Sequence, residues 1–93
     1  MLLDVREPDE FDGELGHIAG SLLMPLRELP ERVGELSSEK DREIVAVCRA
    51  GVRSTTASAI LAGLGFRHVI NLKGGMLDWV DEGLPVERGF DAK

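Results

Sequence analysis

Residues 43–64, E-I-V-A-V-C-R-A-G-V-R-S-T-T-A-S-A-I-L-A-G-L, constrain this chain most. An apolar run from Ile44 to Val47 ends on Cys48, the only cysteine. A short loop follows, Arg49-Ala50-Gly51-Val52-Arg53, and then a helical pattern with no acidic residue. A continuous apolar run is what a strand covered on both faces of a parallel sheet requires. A loop leading from such a strand into a helix N-terminus favours anions, and it lowers the pKa of a thiol placed there.

The rest of the chain fits that frame. Leu2 to Val5 reads as a buried strand interrupted by Asp4 and ending on Arg6. Pro8-Asp9-Glu10-Phe11 reads as a helix start, with proline early and acids in the first turn. Gly13 and Gly16 end that element, and a second short strand is expected over Ser21 to Met24, stopped by Pro25. Leu26, Leu29, Val33 and Leu36 recur at near-helical spacing, with Pro30 in the first turn of that helix. The best periodic signal predicts a helix over 54–64, with Ala57, Ile60, Leu61 and Leu64 on one face and Gly63 and Gly65 as its stop. His68 to Leu72 reads as the next strand. Lys73-Gly74-Gly75 turns the chain into a short helix carrying Met76, Trp79 and Val80. Gly83-Leu84-Pro85 closes that helix. Val86 to Lys93 reads as a tail; the domain is expected over 1–88 and the C-terminal tail proper over 89–93.

Strands that alternate with helices predict an α/β fold. The expectation is a small parallel sheet of about four to five strands with helices on both faces. In such sheets ligands bind beyond the carboxyl ends of the strands, which is where Cys48 falls.

Charge and composition narrow the function. The formal net charge is −6, so no basic nucleic-acid footprint exists, and neither nucleic acid nor an anionic membrane is an expected partner. No apolar run approaches the ~20 residues of a membrane span. The first residues show no signal-peptide pattern. A lone cysteine fits a reducing, cytoplasmic setting. With one cysteine, two histidines and no His/Cys cluster, no metal site is expected.

A cysteine that closes an apolar strand is, on residue type alone, more often an inert small hydrophobe. Three features argue for a reactive one. Cys48 ends the run instead of sitting inside it, Arg49 and Arg53 follow within five residues, and Gly51 lies between them. Glycine reaches backbone angles that let successive amide N–H groups face one centre. Amides, helix end and both arginines are then expected to favour a thiolate, so Arg53→Ala is expected to raise the Cys48 pKa more than it unfolds the chain. The Asp4–Arg6 pair reads as a structural anchor, His17 as a residue that satisfies backbone groups, and Trp79 as core or rim of the last helix.

C-R-A-G-V-R followed by Ser54 resembles the active-site loop of the rhodanese (thiosulfate sulfurtransferase) domain family. Leu3-Asp4-Val5-Arg6-Glu7-Pro8-Asp9-Glu10-Phe11 is similar to that family's opening signature, and Gly16-His17-Ile18-Ala19-Gly20-Ser21 to its second motif. Leu72-Lys73-Gly74-Gly75-Met76, Trp79 and Gly83-Leu84-Pro85-Val86 resemble its C-terminal pattern. Four motifs in order make the resemblance specific, and it covers most of the chain. It implies that Cys48 is the catalytic cysteine and that Arg49, Ala50, Gly51, Val52, Arg53 and Ser54 form the substrate-binding loop.

The implied chemistry is transfer of a sulfane sulfur from thiosulfate or a persulfide donor, through a Cys48 persulfide, to cyanide or a thiol, a protein thiol included. It implies no metal and no organic cofactor. The chain departs from the family pattern at its start, where a further short strand and helix are usual. A minimal domain and a domain from a longer protein, fused to another catalytic unit, are both compatible with that. Two alternatives stand beside sulfur transfer. One is a non-catalytic or slow persulfide-relay and interaction module of a larger protein. The other is a phosphatase or arsenate reductase of the same fold. Phosphate loops of that kind read C-x5-R, whereas here the sixth position is Ser54 and the arginine comes one residue early, so the loop is tight for a tetrahedral oxyanion.

Overall fold

The computed structural model describes residues 1–89. Leu2–Asp4 forms β1, Leu22–Leu23 β2, Glu43–Val47 β3 and His68–Asn71 β4. All pairings are parallel, and the order across the sheet is β2-β1-β3-β4. The helices α1 (Pro8–Phe11), α2 (Leu29–Arg32), α3 (Val52–Gly63) and α4 (Gly75–Asp81) occupy the connections and the C-terminal end. This is the α/β parallel sheet expected, with four strands.

Side-chain alternation along β3 decides where Cys48 points. Ile44 packs on one face with Leu3, Val5, Leu29, Ala57 and Leu61. Val45 and Val47 pack on the other with Ile18, Met76 and Trp79. A strand period of two gives Cys48 the parity of Ile44, and Cys48 belongs to the first cluster, on the α3 side. The sheet is therefore covered by α3 on one face and α4 on the other, which is why β3 reads as a continuous apolar run.

Three expectations need correction. The main helix spans Val52–Gly63, not 54–64. Gly51, at φ 100°, forms its N-cap in the left-handed region, so the chain enters the helix two residues early. The helix has ended before Leu64, which is 45% exposed and leaves the stripe that Ala57 and Leu61 bury. The single helix expected through Leu26–Leu36 is three short pieces: a 3-10 turn Leu26–Glu28, then α2, then a 3-10 stretch Val33–Glu39. Pro30 does lie in the first turn of α2, but none of the three pieces has a side-chain cap; they are held by the burial of Leu29 and Leu36 and by the Arg32 ion pairs with Glu28 and Glu35. The tail does not begin at Val86. Glu87 pairs with His17 through two backbone bonds of 2.8 Å, and Val86 packs on the second cluster. Residues 90–93 of the expected tail lie outside the described residues.

The Asp4–Arg6 anchor is present and buried, at 0% and 1% exposure. Arg6 Nε and Nη2 donate to Asp4 Oδ1 and Oδ2 at 2.9 and 2.8 Å, and the guanidinium also donates to the carbonyls of Glu10 and Gly16. It thereby fastens the end of β1 to α1 and to the turn beyond it. His17 stacks on Phe11 with ring centres 3.7 Å apart, and its Nδ1 lies 3.0 Å from the Phe11 carbonyl. Trp79 is half-buried, and its indole N–H donates to the Pro85 carbonyl at 2.8 Å. Among the described residues no helix is long and apolar enough to cross a membrane.

Candidate active site

Cys48 is the first residue after β3, and residues 49–51 wrap over it before α3 begins. The loop is drawn in by its own thiol: the Gly51 N–H donates to Cys48 Sγ at 3.0 Å. Ser54, in the first turn of α3 and fully buried, sets its Oγ 3.3 Å from the same sulfur. Burial works to raise the Cys48 pKa. The Ser54 hydroxyl and the amides of Ser54, Gly51 and Ala50 outweigh it, and the thiol lies below its ordinary value. Cys48 is 1% exposed, so its sulfur is at once part of the core cluster and the centre of an amide cradle.

A second element clamps the loop from the far side. The N-terminal amides of α4 point at it: Met76 N–H donates to the Cys48 carbonyl at 2.9 Å, and Leu77 N–H to the Arg49 carbonyl at 3.0 Å. This close approach needs Gly75. A Cβ there would lie 2.3 Å from the Cys48 carbonyl oxygen and 2.6 Å from that of Arg49. Gly75 also sits at φ 58°, in the left-handed region.

The two arginines differ. Arg53 makes no hydrogen bond to the sulfur among the described residues and instead forms a bidentate pair with Glu10 of α1. The Glu10 carboxylate holds the Arg53 pKa up, and the charge of Cys48 is a lesser contributor. Arg49 is exposed and lines a cleft of about 180 Å³ with Asp9, Glu10, Gly13, Glu14 and Leu15. Neither arginine is among the groups that lower the Cys48 pKa most, which are hydroxyl and amide donors. Ala50 contributes its amide, and Val52 stands 75% exposed at the start of α3.

Sequence reasoning missed three residues that the fold brings to this site. Asn71, at the end of β4, bonds Ser54, Thr55 and Gly51. Glu10 fixes Arg53, and Gly75 admits the loop. Glu10 and Gly75 lay inside motifs noted for other reasons. Asn71 carried no signal beyond its place at a strand's carboxyl end.

The chain is similar to known proteins over most of its length. The sequence profile described as Rhodanese-like domain matches residues 1–82. A sulfurtransferase of Allochromatium vinosum is 40% identical over 86 residues, covering 92% of this chain and 77% of that protein. The uncharacterized protein YqhL of Bacillus subtilis is 41% identical over 79 residues, covering 85% of this chain but 60% of its own length. The crystal structure of a rhodanese-related protein from Thermoplasma volcanium superposes with a TM-score of 0.85 at 38% identity, covering 95% of this chain and 83% of that one. The chain belongs to the rhodanese-like domain family, the family of the sulfurtransferases it resembles.

Proposed function

We propose that this domain is a sulfurtransferase that carries a sulfane sulfur on Cys48. The observation that supports this most is the cradle itself: a thiol at the carboxyl end of a central strand, held by an amide at 3.0 Å and a hydroxyl at 3.3 Å. The Cys48 thiolate attacks the outer sulfur of thiosulfate. An S–S bond to Sγ forms, the donor's S–S bond breaks, and sulfite leaves with the electron pair. An acceptor thiolate or cyanide then attacks the terminal sulfur, giving a persulfide or thiocyanate, and Cys48 departs as thiolate. The terminal sulfur of the intermediate is anionic and calls for the same fixed donors that favour the thiolate. A nucleophile whose pKa is already depressed needs no neighbouring base.

Arg49 is the exposed cation on the loop and the candidate guide for an anionic donor, since Arg53 is held by Glu10. The test is intact-mass measurement after incubation with thiosulfate or a persulfide donor. Wild type gains the mass of one sulfur atom, and Cys48→Ala gains none. A wild-type protein left unmodified by every sulfane donor would end this reading.

A second reading is a persulfide relay that turns over small donors slowly. It is favoured by a nucleophile only 1% exposed while Val52, at the start of α3 just after its loop, is 75% exposed. The two readings separate on rate. A relay loads readily from a partner's persulfide but gives little thiocyanate from thiosulfate and cyanide.

A further inference from the structure

Asn71 is the last residue of β4, and its side-chain amide reaches under the Cys48 loop. Its orientation follows from its partners. The Gly51 carbonyl only accepts, so the amide nitrogen faces it, at 3.4 Å. Thr55 gives its hydroxyl proton to that same carbonyl at 2.6 Å and so accepts from Asn71 Nδ2 at 2.9 Å. The amide oxygen is thereby turned to Ser54, whose hydroxyl donates to it. Ser54 has one hydroxyl proton. While Asn71 holds that proton, the Cys48–Ser54 contact runs from the thiol S–H to Ser54 Oγ. Ionisation reverses the need, because a thiolate has no proton to give and seeks a donor.

The geometry points to Asn71 as a positioning residue that sets the reactivity of Cys48 by competing with its sulfur for the Ser54 hydroxyl proton. In the thiol state Asn71 holds the proton. When Cys48 loses its own proton to solvent, the Ser54 O–H swings to the sulfur and leaves Asn71 Oδ1 without it. The two Nδ2 bonds to Gly51 and Thr55 keep the amide in place through the change. One of these bonds ends on the carbonyl of Gly51, the residue whose own N–H, in the preceding peptide, lies on the sulfur. This assignment rests on Cys48 as the nucleophile, but it concerns thiol ionisation alone and is tested without any sulfur donor.

The experiment is the rate of Cys48 alkylation by iodoacetamide as a function of pH, in the full chain. Removing the competitor leaves Ser54 free to donate to the thiolate. The midpoint for Asn71→Ala is expected to fall by roughly half to one pH unit, the difference between a neutral and a charge-assisted bond. Ser54→Ala is expected to raise it. In a Ser54→Ala background, Asn71→Ala is expected to bring no fall in the midpoint, because that fall passes through the Ser54 hydroxyl. Asn71→Leu, close in volume, carries the same expectation if the alanine variant is too unstable to assay. An unchanged or raised midpoint in a folded variant overturns the assignment, as does an equal shift with and without Ser54. Loss of the fold in both variants overturns it too, since Asn71 would then be a structural residue. Normal alkylation behaviour with no sulfur adduct would instead count against the sulfurtransferase reading and leave this one standing.

Discussion

Arg53 and Glu10, 43 residues apart in sequence, form a two-point ion pair: Arg53 Nη1 and Nη2 donate to Glu10 Oε1 and Oε2 at 2.6 and 2.8 Å. The bond joins the first turn of α3, and so the Cys48 loop, to α1. Arg53 is the main reason that the Glu10 pKa falls from 4.5 to about 2. Partial burial opposes it, and the backbone bond involving Glu7 assists. An arginine expected to favour the thiolate is thus engaged by a carboxylate of α1.

That pair makes an acid-stability prediction. The folded pKa of Glu10 lies below its unfolded value, so the stabilisation is complete above about pH 4.5 and is lost as pH falls toward about 2. Glu10→Gln should cost on the order of 1–2 kcal/mol near neutral pH, after allowing for a pair that is partly open to solvent. It should also flatten the acid limb of the unfolding curve. Urea melts from pH 7 down to 3 for wild type and variant provide the check. Parallel acid limbs would show that the bond adds little.

Arg49 and Arg53 should separate in kinetics. Arg49→Ala removes an exposed charge at the mouth of the cleft. It is expected to raise KM for thiosulfate by up to about 5-fold, more at low salt than at high, with melting temperature unchanged. Arg53→Ala leaves Glu10 unpaired and is expected to lower stability as well as activity. Steady-state kinetics at two ionic strengths beside thermal melts would distinguish them.

Two glycines with positive φ should respond unequally to alanine. At Gly75 a Cβ meets the Cys48 and Arg49 carbonyls, whereas at Gly20, φ 83°, nothing lies within 4 Å. Gly75→Ala adds steric overlap to left-handed strain and should cost about 2–4 kcal/mol. Gly20→Ala bears the strain alone, about 1–2 kcal/mol. Only Gly75→Ala should also move the pH profile of Cys48 alkylation, because it displaces the loop.

The buried anchor predicts a stability effect without a direct chemical one. Asp4→Ala strands the Arg6 guanidinium among buried groups and should cost about 3–5 kcal/mol. At a temperature where the variant stays folded, its Cys48 alkylation midpoint should match wild type, since no bond joins Asp4 to the loop.

Much of this was legible in the chain. The apolar run 44–47 and the loop after it marked β3 and the thiol at its end, because burial on both faces leaves no alternation to hide. Leu3-Asp4-Val5-Arg6 marked a buried anchor, since a charged pair two residues apart inside an apolar run needs a partner. The start of α3 was misread by two residues because Gly51 at φ 100° lets Val52 and Arg53 enter the helix without any apolar periodicity. The helix through 26–36 was over-read because spacing does not report that caps are missing. The place of Glu87 beside His17 is not legible in the chain, because a single bridge leaves no sequence pattern.

The sequence by itself determined the layered α/β fold, the strand that carries Cys48 and the place where the loop after it begins, because these depend on local pattern and short spacing. Only the tertiary structure decided which group each loop residue meets. Arg53 meets Glu10, Ser54 meets Cys48 and Asn71, and the Cys48 carbonyl meets the Met76 amide across a glycine. Those contacts join segments far apart in the chain. Their partners are selected by strand order and crossover, which bring α1, β4 and α4 to the carboxyl end of one sheet.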